Sequence, residues 1–162
     1  MRIQVVNRLA KLSLLCAIVL VTTVASAQAQ AFGYRIRANI PFDFSIGDKK
    51  LPSGKYSIGR ARQNSDDTIL SILDGDGRSK AIPSSHSAQT WQIKDRATLV
   101  FHRYGDQYFL YQVWNAGETT GREFAISRDE RDIRRNLAQS ASTGKVAGNV
   151  GVETVTIVGG LQ

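Results

Sequence analysis

Cysteine, histidine and proline are all scarce in this sequence. One cysteine among 162 residues excludes an internal disulfide framework and any zinc or iron–sulfur site built from several cysteines. The two histidines, His86 and His102, leave little material for a metal centre or for general-base catalysis. The 3 prolines beside 14 glycines are consistent with many turns and exclude a proline-rich linker. We therefore expect neither a metal site nor a cofactor.

Charged and apolar residues are present in ordinary proportions. Hydrophobic residues make up 42% of the chain and charged residues 22%, which excludes a disordered or collagen-like protein. A length of 162 residues corresponds to one domain, at most two, and allows a core that needs no metal or disulfide. The composition is thus that of a small folded domain.

The N-terminal residues have the three parts of a secretory signal peptide. A basic start without acids is followed by the uncharged segment 12–24 and by Ala25-Ser26-Ala27, the small-residue pattern that signal peptidase cleaves. The uncharged segment has 13 residues, whereas a membrane-spanning helix needs about 20. We predict a signal peptide over 1–27 and a single β-rich mature domain over 28–162. That domain is expected in the periplasm or outside the cell, with no transmembrane segment after cleavage.

Cleavage after Ala27 also removes much of the positive charge. The leader contains three basic residues and no acid, so the net charge of +7 falls to +4. A value of +4 is ordinary for a small soluble domain, and nucleic-acid binding is therefore not expected. The single cysteine, Cys16, is lost with the leader, and Leu15 before it does not fit lipid attachment, which requires a small residue there.

Period-two alternation of apolar residues recurs through the mature chain and predicts strands. Apart from the hairpin described next, strands are expected at 32–44, 55–62, 68–73, 78–82 and 150–158. Pro41 lacks an N–H and is expected at an edge or a bulge. The serine-rich segment 83–90 is interpreted as a surface loop. Closely spaced strands with short turns predict a mainly β fold, a single antiparallel β-sandwich or small barrel of about seven strands.

The strongest pattern is a β-hairpin at 97–114. Two runs rich in β-branched and aromatic residues flank Gly105-Asp106, a pair that suits a two-residue type II′ turn. The register that this turn implies gives three cross-strand pairs: Phe101 with Leu110, His102 with Phe109, and Arg103 with Tyr108. Both faces are largely apolar, so we expect the hairpin centrally in a sheet, with one face in the core and the other partly covered.

One short C-terminal helix is predicted near 128–138. Ser127 and Glu130 have the spacing of a capping box, in which the serine caps the first turn. A flexible segment at 140–149 is expected before the last strand. Acidic residues interleave with the basic ones on this helix, which favours solvated ion pairs over a polyanion-binding surface. The basic residues are Arg128, Arg131, Arg134 and Arg135.

Four short motifs can be compared with known families. They are Ile40-Pro41-Phe42-Asp43-Phe44, Leu51-Pro52-Ser53-Gly54-Lys55-Tyr56, Leu99-Val100-Phe101-His102-Arg103-Tyr104-Gly105 and Gly121-Arg122-Glu123. Together they resemble an uncharacterised family of signal-peptide-bearing secreted proteins of environmental bacteria, and the similarity spans roughly 38–135. The resemblance implies export and one compact domain. No activity is attached to that family, so the resemblance implies no catalytic residue.

Aromatic residues are concentrated in the hairpin, which holds 6 of the 13 in the chain. Flat rings with polar tips suit sugars or apolar ligands, but they also stabilise a sheet as cross-strand pairs worth about 0.2–1 kcal/mol each. The residues that we expect to bind a ligand are Tyr104, Tyr108, Tyr111 and Trp114. The expected partner is a glycan, an apolar small molecule or an envelope component.

Motifs that carry known chemistry are weak. Asp74-Gly75-Asp76-Gly77 fits a tight turn better than a calcium loop, because Ser85 stands where such a loop needs glutamate. We predict an exported, non-enzymatic binding or envelope-associated structural module. The alternative is a small secreted hydrolase that uses His102 or His86. A carboxylate beside a histidine in a cleft would favour the enzyme, and an open apolar groove would favour binding.

Overall fold

Short strands dominate the computed structural model of the chain, which describes residues 35–61, 68–142 and 152–161. In chain order the strands are β1 (Ile36–Ile40), β2 (Phe44–Ile46), β3 (Lys49–Leu51), β4 (Gly54–Arg60), β5 (Leu70–Asp74), β6 (Ser79–Ala81), β7 (Ser85–Gln89), β8 (Thr98–Tyr104), β9 (Gln107–Trp114), β10 (Thr120–Phe124), β11 (Glu153–Val158) and β12 (Gly160–Leu161). The helix in this part of the chain, α1, spans Arg128–Ser142 and lies between β10 and β11.

The strands belong to two sheets. The first sheet has the order β12-β1-β4-β5-β6, and the second has the order β11-β8-β9-β10-β7. β2 joins the second sheet through a parallel contact with β9, and β3 pairs with β2. The other strand pairs of the described residues are antiparallel. The arrangement is sandwich-like, which confirms the mainly β, antiparallel fold class predicted from the sequence.

Residues of both sheets meet in one apolar core. Burial along β1 alternates strictly, with Ile36, Ala38 and Ile40 buried and the residues between them exposed. This is the period that the sequence shows. The largest fully buried side chains are Ile36, Ile40, Ile58 and Ile72 from the first sheet and Leu99 and Phe101 from the second. Burying each of them contributes about 1.5–3 kcal/mol to stability.

The expected count of about seven strands is too low, since the described residues alone form twelve. The strand expected at 32–44 is divided, because β1 ends at Ile40 and β2 begins at Phe44. Pro41 lies between them, where the chain leaves the first sheet for the second, and it cannot donate to a ladder. The segment 83–90, interpreted as a loop, contains the edge strand β7, which pairs with β10.

The central hairpin forms as predicted. β8 and β9 pair through the three predicted cross-strand pairs, and both are interior strands of the second sheet. Gly105 has a φ of 60°, the left-handed value that the first position of a type II′ turn requires. A β-bulge, which the sequence pattern does not indicate, interrupts the ladder between Val100 and Phe101. The bulge makes Tyr111 an extra residue on β9.

Helix α1 begins where the cap motif predicts and ends later than expected. The backbone N–H of Glu130 donates to Ser127 Oγ at 3.2 Å, so the serine caps the first turn. α1 continues to Ser142 and so includes the start of the segment 140–149 that was interpreted as flexible. The last predicted strand, 150–158, is present as β11 in its described part and pairs with β8.

Two predictions about chain organisation fall outside the described residues. They are the signal peptide at 1–27 and the remainder of the expected flexible segment, 143–149. Within the ranges that the structure describes, no helix is long and apolar enough to cross a membrane.

Candidate functional site

Four polar side chains join helix α1 to the hairpin. Glu130 and Arg134 come from consecutive turns of α1, and His102 and Tyr104 come from β8. Because side chains of a strand alternate between faces, His102 and Tyr104 lie on the face opposite Phe101, which is in the core. We refer to these four residues, His102, Tyr104, Glu130 and Arg134, as the helix–sheet cluster.

The carboxylate of Glu130 is the centre of the helix–sheet cluster, and Glu130 is only 4% exposed. Its Oε1 accepts hydrogen bonds from His102 Nδ1 at 2.8 Å, Arg134 Nη2 at 2.9 Å and Tyr104 Oη at 3.0 Å. Burial raises the pKa of the Glu130 carboxyl. The hydrogen bonds from His102 and Tyr104, together with the charge of Arg134, outweigh burial, so the pKa lies below its ordinary value. The carboxylate is therefore ionised at neutral pH.

Tyr104 connects the two charged groups of the helix. Its hydroxyl donates to Glu130 Oε1 and accepts a hydrogen bond from Nε of Arg134. Burial raises the pKa of Tyr104 to about 12, while Arg134 and Glu130 act on it in opposite directions. The phenol therefore stays neutral and remains a hydrogen-bond donor at physiological pH.

Tyr111, the extra residue of the bulge, covers His102. The two rings are stacked, with centroids 3.9 Å apart and planes inclined by 28°. Burial, followed by a hydrogen bond to Glu123, raises the pKa of Tyr111. The neighbouring Gln112 donates to the same Glu123 carboxylate at 2.7 Å. His102 is thus enclosed between an ionised carboxylate and an aromatic ring.

The four aromatic residues expected to bind a ligand do not share one surface. Tyr104 and Tyr111 contact His102, and Trp114 lies on the same face of the second sheet. Tyr108 lies on the other face, where its ring stacks on Phe42 at 3.8 Å. Tyr104 and Trp114 are also buried. That these four residues bind a ligand stays a prediction. Because they lie on two opposite faces of the second sheet, they would not contact one ligand together.

The two candidate histidines differ in their surroundings. His102 is buried against Glu130, whereas His86 is exposed on the edge strand β7. In the described part of the chain, Nδ1 of His102 donates to Glu130, and Nη2 of Arg134 lies 3.2 Å from the same nitrogen; neither residue is a nucleophile.

The helix–sheet cluster also corrects one expectation from the sequence. Glu130 and Arg134 were interpreted as solvated, but Glu130 is buried and Arg134 donates to its carboxylate. His102 and Glu130 are 28 positions apart, so no local pattern in the sequence could have paired them. The tertiary fold alone brings them together.

A cleft of about 250 Å³ opens between the two sheets, and we call it the inter-sheet cleft. Its floor is formed by the buried apolar side chains of Ile36, Ile58, Leu70 and Val113. Its polar rim includes Arg60, Asn115, Glu118, Thr120 and Arg122. Asn115 Nδ2 donates to Glu118 Oε2 at 2.9 Å and so fixes one side of the rim. An apolar floor with a few polar groups is the usual composition of a small-molecule site.

Two further observations concern ligands. A second, more open groove of about 380 Å³ borders Tyr108 and is lined by residues of β2, β3 and the hairpin turn.

In the part of the chain that the structure describes, no group of three or more histidine, cysteine, aspartate or glutamate residues is placed to hold a metal ion.

Comparison with known proteins adds no relative. No protein-family model, no curated protein and no solved structure matches the chain. The resemblance to secreted bacterial proteins therefore stays a prediction, and the inter-sheet cleft and the helix–sheet cluster are the features of the chain that bear on its function.

Proposed function

We propose that this chain is an exported, non-enzymatic binding domain whose inter-sheet cleft holds a small molecule with an apolar body and an acidic group. Export is supported by the leader pattern at 1–27, which lies outside the described residues. The observation that carries the binding role is the inter-sheet cleft itself, an apolar floor that opens to solvent beneath a polar rim. The domain acts in the periplasm or outside the cell.

The size and lining of the inter-sheet cleft limit what it holds. A volume of about 250 Å³ corresponds to about eight water-sized groups, which is the size of a medium-chain hydrocarbon tail. Each buried CH₂ contributes about 0.8 kcal/mol. The described lining residues include no aromatic ring on which a sugar could stack, so an apolar small molecule is favoured over a glycan.

The charge on the rim favours an acid. Among the described lining residues, Arg60 and Arg122 are the basic groups and Glu118, whose carboxylate accepts a hydrogen bond from Asn115, is the acidic one. A guanidinium matches the two oxygens of a carboxylate in geometry as well as in charge. The ligand therefore has its acidic group at the rim and its hydrocarbon on the floor.

Titration calorimetry of the whole chain with octanoate and with octanol tests this proposal. Octanoate should bind, and octanol should bind at least tenfold more weakly. Arg122→Gln should abolish that preference, whereas Arg128→Gln, an exposed arginine of α1, should leave it unchanged. Thr120→Trp should block the mouth of the cleft, and its exposed neighbour Thr119, replaced in the same way, is the matched control.

Two outcomes would contradict the proposal. Octanoate binding that is the same in Thr120→Trp as in wild type would place the ligand outside the inter-sheet cleft. Equal affinities of wild type for octanoate and octanol would show that the rim does not recognise the acidic group.

A second candidate function is a hydrolase that uses His102, and the contact between His102 and Glu130 favours it. A carboxylate that accepts from Nδ1 fixes the tautomer of the imidazole and leaves Nε2 as a base, as in known hydrolytic triads. Hydrolysis of p-nitrophenyl acetate by wild type, His102→Gln and His86→Gln distinguishes the candidates. Turnover lost only in His102→Gln would support this enzyme. The binding proposal predicts no turnover that depends on either histidine.

A further inference from the structure

The chain has two tryptophans, and they lie in opposite environments. Trp114 is 4% exposed, whereas the side chain of Trp91 is fully exposed. Ile93, two residues further on, is 57% exposed. Both residues belong to the connection between β7 and β8, residues 90–97, which we call the Trp91 loop. Because tryptophan is largely buried in most folded proteins, this apolar pair on the surface needs an explanation.

The Trp91 loop is anchored to the connection between β9 and β10. The N–H of Thr90 donates to the carbonyl of Thr119 at 2.9 Å, and the N–H of Gly117 donates to the carbonyl of Lys94 at 2.9 Å. These bonds hold the loop at Thr90 and at Lys94, on either side of Trp91 and Ile93. The side chains of Trp91 and Ile93 are therefore exposed to solvent on a loop whose backbone is held by hydrogen bonds.

Positive charge accompanies the apolar pair. Lys94 and Arg96 follow in the Trp91 loop with Asp95 between them, so the loop has a net charge of +1. The adjoining rim of the inter-sheet cleft contains Arg60 and Arg122 together with the carboxylate of Glu118. Tryptophan is enriched where lipid headgroups meet water, and basic residues are attracted to anionic headgroups. The combination of exposed apolar and basic residues matches the chemistry of an anionic lipid surface.

We infer that the Trp91 loop docks the protein on an anionic lipid bilayer, with Trp91 and Ile93 among the headgroups and Lys94 and Arg96 at the phosphates. The inference does not depend on the ligand proposed for the inter-sheet cleft. It has one consequence for that cleft: the β9–β10 connection forms part of the rim and also bonds to the Trp91 loop. The mouth of the cleft therefore lies beside the lipid.

Tryptophan fluorescence of the whole chain tests the inference. The probe is vesicles of phosphatidylcholine and phosphatidylglycerol in equal parts, compared with vesicles of phosphatidylcholine alone. Trp114 is already buried, so a change in emission reports Trp91. Because the uncharged segment 12–24 can bind lipid by itself, the measurement follows the position of Trp91 and not co-sedimentation. With the anionic vesicles, the emission of Trp91 should shift to the blue and its quenching by acrylamide should fall. The lipid concentration that gives half of the maximal shift should be at least tenfold lower than with vesicles of phosphatidylcholine alone.

Two variants keep the reporter and probe the loop. Ile93→Ala and Lys94→Gln should each raise the lipid concentration for half-maximal shift, Ile93→Ala by about tenfold, and added salt should weaken binding. Ile82→Ala is the matched control, because Ile82 is 62% exposed but lies in the connection between β6 and β7. It should behave as wild type does.

Three results would overturn the inference. In the first, Trp91 stays open to acrylamide and unshifted at saturating anionic vesicles. In the second, Ile82→Ala weakens the shift as much as Ile93→Ala does. In the third, the shift appears without lipid as the protein concentration rises, which would make a second copy of the chain the occupant of this surface.

Discussion

At the scale of single residues, the carboxylate of Glu130 is the main polar contact between helix α1 and the hairpin. Three donors from two elements converge on one of its oxygens, and hydrogen bonds to a charged group are stronger than neutral ones. Burying an ion pair contributes little net stability, but removing one partner leaves the other charge buried and unpaired. The contact between helix α1 and the hairpin is therefore sensitive to any change in Glu130.

We predict that Glu130→Gln lowers the free energy of unfolding by about 1–3 kcal/mol, because it removes the charge that the three donors require. Asp129→Asn, an exposed acid of the same helical turn, should change it by less than about 0.5 kcal/mol. Chemical denaturation of both variants beside wild type measures the difference. Equal midpoints for Glu130→Gln and wild type would mean that the cluster does not hold the helix.

The same carboxylate gives the stability a dependence on pH. Its pKa is lower in the folded protein than the ordinary value of 4.5, so the folded state binds fewer protons than the unfolded chain in acid. Its contribution is fully present above that ordinary value and is lost as pH falls through the folded pKa. The difference in the free energy of unfolding between wild type and Glu130→Gln should therefore narrow as the pH is lowered from neutrality through 4.5 and further into acid. A constant gap across this range would contradict the assignment.

At the scale of elements, the hairpin of β8 and β9 is the structural centre. Its two strands are interior strands of the second sheet. One face of the hairpin packs in the apolar core, and the other face contacts helix α1 through the helix–sheet cluster. Phe101 is fully buried on the core face and contacts Phe42 and Phe44 edge to face, at 5.2 and 5.6 Å between centroids. Loss of this ring would leave a cavity between the sheets.

Phe101→Ala should lower the free energy of unfolding by about 3–5 kcal/mol, because a buried aromatic ring is replaced by a cavity. Gly105→Val should also destabilise, because a β-branched residue adopts the φ of 60° only with strain. Arg135→Ala is the control, since its ion pair with Asp132 is exposed. Arg134 would be a poor control because it donates to Glu130. A denaturation midpoint of Phe101→Ala equal to that of wild type would contradict the core assignment.

The elements also show what the sequence could and could not predict. The hairpin register was predictable because a short turn and a period of two act within a few residues. β7 was not, because its polar sequence, Ser85 to Gln89, pairs through the backbone and carries no apolar period. The bulge at Tyr111 and the pairing of His102 with Glu130 depend on contacts between distant segments, so local patterns contain no signal for them.

At the scale of the whole molecule, we propose an exported domain that has both a ligand-binding cleft and a lipid-docking loop. The leader pattern predicts that the exported protein starts at Gln28, directly after Ala27. N-terminal sequencing of protein recovered outside the cytoplasm measures this. A first residue of Met1 in that fraction would contradict cleavage, and absence of the protein from it would contradict export.

The central claim is that the inter-sheet cleft binds an acidic apolar molecule, and methyl NMR during a titration with octanoate tests it most directly. The account predicts saturable shifts at Ile58, Leu70 and Val113, which form the floor, and none at Ile82 or Ile133, which lie elsewhere. Shifts that are confined to Ile82 or Ile133, or that fail to saturate at any methyl of the floor, would contradict it.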